Sequence, residues 1–64
     1  METRFNIKTG TYDPCPGWTW TTWRDMFGRW HYQVSGPRGT WEGFGFWNER
    51  EAQHRAWQAI GLAR

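Results

Sequence analysis

The chain has 64 residues, a formal charge of +2, thirteen aromatic side chains and a single cysteine. That length holds one small domain, excludes several domains or a large enclosed pocket, and leaves a thin stability margin, because about 60% of the unfolded surface is all that such a domain buries. The lone Cys15 excludes an intrachain disulfide, and with only His31 and His54 beside it no zinc-ligand spacing exists, so no metal and no cofactor is expected.

Leu, Ile, Val and Phe together supply only eight residues, a share at which disorder is commonly suspected. The low net charge and the seven tryptophans argue otherwise, since each large ring buries on the order of 150 to 250 Å². A folded domain with an aromatic core is expected.

The first strand is read over residues 4–12, where Phe5, Ile7 and Thr9 alternate with Asn6, Lys8 and Gly10. Asp13 to Gly17 (DPCPG) cannot continue a central strand and turns the chain. Cys15, between its two prolines, reads as an inert small residue. A second strand, residues 18–24, is aromatic and β-branched, with Trp18, Trp20 and Thr22 on one side and Thr19, Thr21 and Trp23 on the other. Asp25 to Gly28 (DMFG) is a hairpin connection in which Gly28 takes a positive φ. The third strand, residues 29–35, alternates most cleanly, setting Trp30, Tyr32 and Val34 against Arg29, His31 and Gln33.

Gly36 to Gly39 (GPRG) is a second turn. The fourth strand, residues 40–47, places Thr40, Glu42, Phe44 and Phe46 opposite Trp41, Gly43, Gly45 and Trp47, with the two glycines marking a bulge or a close approach. Asn48 reads as an N-cap, with Glu51 three residues on completing a near capping box. The helix is expected over residues 49–60, with a narrow stripe of Ala52, Ala56, Ala59 and Ile60 and with Gly61 as its C-cap. Strands first and one helix last predict an α+β fold: a three- or four-stranded antiparallel sheet with one C-terminal helix packed on one face.

A single helix covers one face of such a sheet, so the other face is the expected working surface. With Trp30, Tyr32, Val34, Phe44 and Phe46 placed under the helix, the uncovered face is expected to carry Arg29, His31 and Gln33 with members of the tryptophan set such as Trp41. Arg24 and Arg38 add charge in and between the central strands. Rings and arginines suit nucleic acid, through base stacking and phosphate or guanine contacts. They equally suit a protein partner, as tryptophan and arginine dominate interface hot spots. No nucleophile with a base, no carboxylate pair in a cleft and no phosphate loop can be assembled, so the chain is not expected to be an enzyme.

The stretch RWHYQVSGPRGTWEGFGFWNEREAQHRAWQA, residues 29–59, resembles small sheet-plus-helix DNA-binding domains of the AP2 type and the arm-binding domains of tyrosine integrases, through W-x-Y-x-V, a turn, a strand ending in G-F-G-F and an N-x-x-E-A-x-x-x-A helix. The resemblance implies that the uncovered sheet face enters the major groove, with Arg29, His31, Gln33, Arg38, Thr40 and Glu42 as contact positions. A lesser likeness to WW domains lies in PGW, GRWHY and TWE, where the peptide site would fall between Tyr32 and Trp41. The proline that closes those modules is missing here and a helix follows instead, so the likeness is one of aromatic sheets in general.

The leading expectation is therefore DNA binding through Arg24, Arg29, His31, Gln33, Arg38, Thr40, Trp41 and Glu42. The alternative is a protein-interaction module or inhibitor, including a homodimer, that docks by the tryptophan-rich face or an edge strand. No segment approaches the ~18 apolar residues of a membrane span, and Met1 to Gly10 has no signal-peptide core, so no membrane partner and a cytoplasmic location are expected.

Overall fold

A computed structural model describes residues 3–64. Four strands, β1 (Phe5–Thr11), β2 (Thr19–Arg24), β3 (Trp30–Gly36) and β4 (Gly39–Phe46), precede one helix, α1 (Glu49–Ala63). All four strands pair with their neighbours in chain order, β1-β2-β3-β4, and every pair is antiparallel. The helix lies across β2, β3 and β4. The fold is thus α+β, with one sheet face covered and one open.

Local chemistry accounts for each element. The Asp25 turn is held by its own carboxylate: Oδ1 accepts from the backbone N–H of Phe27 (2.8 Å) and of Arg29 (3.0 Å), while Gly28 takes φ +83°. The Pro37–Arg38 turn closes directly on a Gly36↔Gly39 pair, and that fixes the register of the whole β3–β4 hairpin. Asn48, in extended conformation, caps α1 by accepting from Glu51 N–H at 2.7 Å. The helix runs on through Gly61 to Ala63 and is capped at Arg64, whose N–H reaches the Ile60 carbonyl at 3.1 Å. Gly61 is therefore interior and not the expected C-cap. It keeps an ordinary helical turn and leaves φ > 0 to other glycines.

The core lies between sheet and helix. Ala56 and Ile60 are fully buried against Trp18, Trp20 and Val34, with Cys15 in the same cluster, and Ala52 is fully buried one turn before them on the same stripe of α1. Small residues on α1 let its backbone come close to a layer of rings. Trp57 completes that layer from the side, stacked on Tyr12 at 5.8 Å and edge-on to Trp20 at 6.4 Å. Glycines opposite the rings make the same allowance from the sheet: the Trp18 ring lies flat on Gly36 and the Tyr32 ring on Gly43, where no Cβ would fit. Among the described residues, two side-chain polar atoms are buried without a hydrogen-bond partner, Thr22 Oγ1 and Trp57 Nε1.

The edge strand β1 projects beyond the helix and is tied to it by the Lys8–Glu49 ion pair at 2.6 Å. Both sheet edges are irregular. The β1–β2 register shifts between Phe5 and Lys8, where Asn6 adopts φ +52°, and the β3–β4 register shifts beside Gly45, at φ +91°. Among the described residues no helix is long and apolar enough to cross a membrane.

Candidate nucleic-acid interface

The registers place the open-face side chains in three rows across the sheet. Thr11, Thr19, Ser35 and Thr40 form a hydroxyl row, and Thr9, Thr21, Gln33 and Glu42 a polar row beside it. Trp23, His31 and Phe44 form the third row, one of rings. The hydroxyls are linked among themselves, Thr9 to Thr21 at 3.2 Å and Ser35 to Thr40 at 3.4 Å.

The ring row is a continuous stack. Trp23 and His31 lie 5.4 Å apart at 14°, and His31 and Phe44 5.8 Å apart at 24°. The Arg4 guanidinium sits over the Trp23 ring at 3.9 Å. Trp23 is only 3% exposed although its register turns it away from the helix. His31 is anchored from below the stack, its Nε2 donating to Asp25 Oδ2 at 2.7 Å. An ionised carboxylate only accepts, so Nε2 carries the proton. The hydrogen bond from His31 is the largest influence and holds the Asp25 carboxyl below its ordinary value; desolvation comes next and opposes it, and the N–H groups of Arg29 and Phe27 add to the lowering.

At the end of this row stands a second cation and ring pair, Arg29 over Trp47 at 3.6 Å. Phe44 and Trp47 are 77% and 71% exposed, so each ring has one side closed by its neighbour and the other open to solvent.

Of the residues singled out in the sequence, His31, Gln33, Thr40 and Glu42 share the open face, and Arg29, just before β3, lies over the Trp47 ring. Arg38 stands exposed at the β3–β4 turn, at the hydroxyl-row end. Two do not belong to that face. Arg24 pairs with Trp30 in line with Trp20 and Thr22, which turns it to the helix side over the Phe5 ring at 5.1 Å. Trp41 pairs with Val34 and packs on Trp18 at 5.7 Å, again on the helix side. Its place follows from the two-residue turn, which puts residues 34 and 41 opposite each other.

Phe44 corrects the expectation in the other direction. In a regular strand it would share a side with Phe46, under the helix. The bulge at Gly45 inserts one residue between them, so Phe46 stacks on Tyr32 at 5.8 Å on the helix side while Phe44 turns out to His31. Trp47, the residue after Phe46, is 71% exposed and lies against the Arg29 guanidinium at 3.6 Å. The alternating glycines 43 and 45 on either side of Phe44 were the available signal for this reversal.

No family model, curated protein or solved structure matches the chain. Arg24, Arg29 and Arg38 make no ion pair with a carboxylate among the described residues, whereas Lys8 and His31 are spent on Glu49 and Asp25. The same face carries no cluster of His, Cys, Asp and Glu fit for a metal among the described residues.

Proposed function

We propose that this domain is a non-enzymatic binding module that holds nucleic acid on its open sheet face. The observation that carries the reading is the pairing, on one face, of outward aromatic rings with an arginine that has no internal carboxylate partner, next to rows of hydroxyl and amide groups. Guanidinium groups supply phosphate contacts, and Gln33, Glu42 and the threonines supply hydrogen-bonding groups for base edges. The modest charge of +2 makes the binding local to this face and not a property of the whole surface.

The protein-partner alternative would use the tryptophan-rich face or an edge strand. Edge-to-edge pairing needs a regular exposed strand, and both edges are bent by bulges with positive φ at Asn6 and Gly45.

The test is fluorescence anisotropy with labelled oligonucleotides across a salt series. Arg29→Ala and Arg38→Ala should each weaken binding and lower the salt slope by about one phosphate contact, that is by roughly 0.7 to 0.9 in log K against log salt. A slope unchanged in both variants, or no saturable binding at low salt, refutes the reading.

A further inference from the structure

Resting on the nucleic-acid reading, the geometry points to a narrower substrate: we propose that the open face binds an unpaired strand, DNA or RNA, by stacking bases on the free sides of Phe44 and Trp47. In a duplex the faces of the bases are already covered by their neighbours, and only edges and phosphates are on offer. Two large rings held out in solvent give nothing to such a partner. Unstacked bases, by contrast, can use them directly, and every base has a face to stack whatever its sequence.

Three features make these rings platforms and not merely exposed side chains. Phe44 is backed by His31, which is itself fixed between Trp23 and the Asp25 carboxylate. Trp47 is backed by Arg29 at 3.6 Å, so the guanidinium that braces the ring also lies within reach of the phosphate of a stacked nucleotide. Rings already ordered lose little conformational freedom when a base arrives. The outward turn of Phe44 is also built into the backbone, by the φ +91° bulge at Gly45, and a regular strand would have buried this ring with Phe46.

The polar row gives the next step of the path. Gln33 and Glu42 lie directly beside His31 and Phe44 in β3 and β4, one side-chain repeat of about 7 Å along the strands. That spacing suits an extended strand whose bases are splayed, one on a ring and the next over hydrogen-bonding groups.

The experiment compares labelled oligothymidylate and oligouridylate of about 12 nucleotides with a mixed-sequence duplex of the same length, at about 50 mM salt. Parent protein, Phe44→Leu, Trp47→Ala and Leu62→Ala are titrated, the last altering an exposed apolar residue on the helix. Circular dichroism of each variant checks that the sheet is retained. The expected result is single-strand binding at least tenfold tighter than duplex binding, weakened roughly 5- to 100-fold by loss of either ring, with Leu62→Ala unchanged. Whether DNA or RNA is the tighter ligand is read from the two homopolymers. Tighter duplex binding, or single-strand binding indifferent to both rings, overturns this inference while salt-dependent binding through Arg29 and Arg38 leaves the broader reading standing. Absence of binding to all three oligonucleotides overturns both and assigns the rings to a protein partner.

Discussion

A pair of glycine-to-alanine substitutions probes the packing with opposite signs. At Gly36 an added Cβ would stand 2.6 Å from Trp18 Cε2 and nearer still to Cδ2 and Cε3 of the same ring. Ordinary carbon contacts need about 3.5 to 4.0 Å, so the ring must retreat by more than about 1 Å. Trp18 is 4% exposed and braced by Trp41 at 5.7 Å, which leaves it no open direction. Overpacking of this kind costs about 1 to 3 kcal/mol, with the upper end expected for a rigid indole. For a domain this small each kcal/mol moves Tm by about 4 to 8 °C, so Gly36→Ala should melt roughly 10 to 20 °C below the parent. Gly61 has nothing within 4 Å of its Cβ position and lies inside α1. There alanine should gain about 0.5 to 1 kcal/mol from helix preference alone, raising Tm by a few degrees. Thermal melts followed by circular dichroism and by tryptophan emission measure both. A Gly36→Ala protein that melts with the parent, or a Gly61→Ala protein that melts below it, would refute the placement of Trp18 or the continuation of the helix.

Thr22→Val removes a fully buried hydroxyl that has no partner while keeping the side-chain shape, so urea denaturation should show a gain of about 1 kcal/mol; a loss would mean that the hydroxyl is bonded in solution. Asp25 has a folded pKa held below its ordinary 3.8, chiefly by the His31 hydrogen bond. Its contribution to stability is therefore present above pH ~4 and lost as pH falls through the lowered folded value. Asp25→Asn should flatten the fall in Tm between neutral pH and the acid limb, and identical pH profiles for parent and variant would show the interaction to be absent. Light scattering at high protein concentration should give a monomer of 7.7 kDa, because both sheet edges are bulged; a dimer that dissociates when Lys8 or Glu42 is changed would contradict this.

Much of the fold is legible in the residues. Alternation in RWHYQVS and TWTTWR sets the two faces of β3 and β2, and the Asn48 cap fixes the start of α1. Each strand boundary falls within a residue of its expected place. The face of Trp41 was also countable, from the two-residue Pro37–Arg38 turn that sets Gly36 against Gly39 and hence Val34 against Trp41. Counting alternation within β4 alone concealed it, because the Gly45 bulge breaks the period between Phe44 and Phe46. The stack of Trp23, His31 and Phe44 joins β2, β3 and β4, with Arg4, just before β1, laid on its end. Such a stack depends on two registers at once, and no local pattern carries that information. Asp25 shows the same limit: turn chemistry identifies one carboxylate oxygen, while the other is committed by a cross-hairpin neighbour six residues on.

The chain-order meander also shapes how the molecule is built. Every strand pairs with the one just made, through short connections, so no long loop must be closed before a contact rewards it. Folding on the fast side for a sheet protein is expected, with hairpins able to form independently and zip together. The slow event is then the docking of α1, because until Ala52, Ala56 and Ile60 arrive the rings on the covered face remain wet. Substitutions in the turns should chiefly alter the folding rate, while trimming Ile60 should chiefly accelerate unfolding.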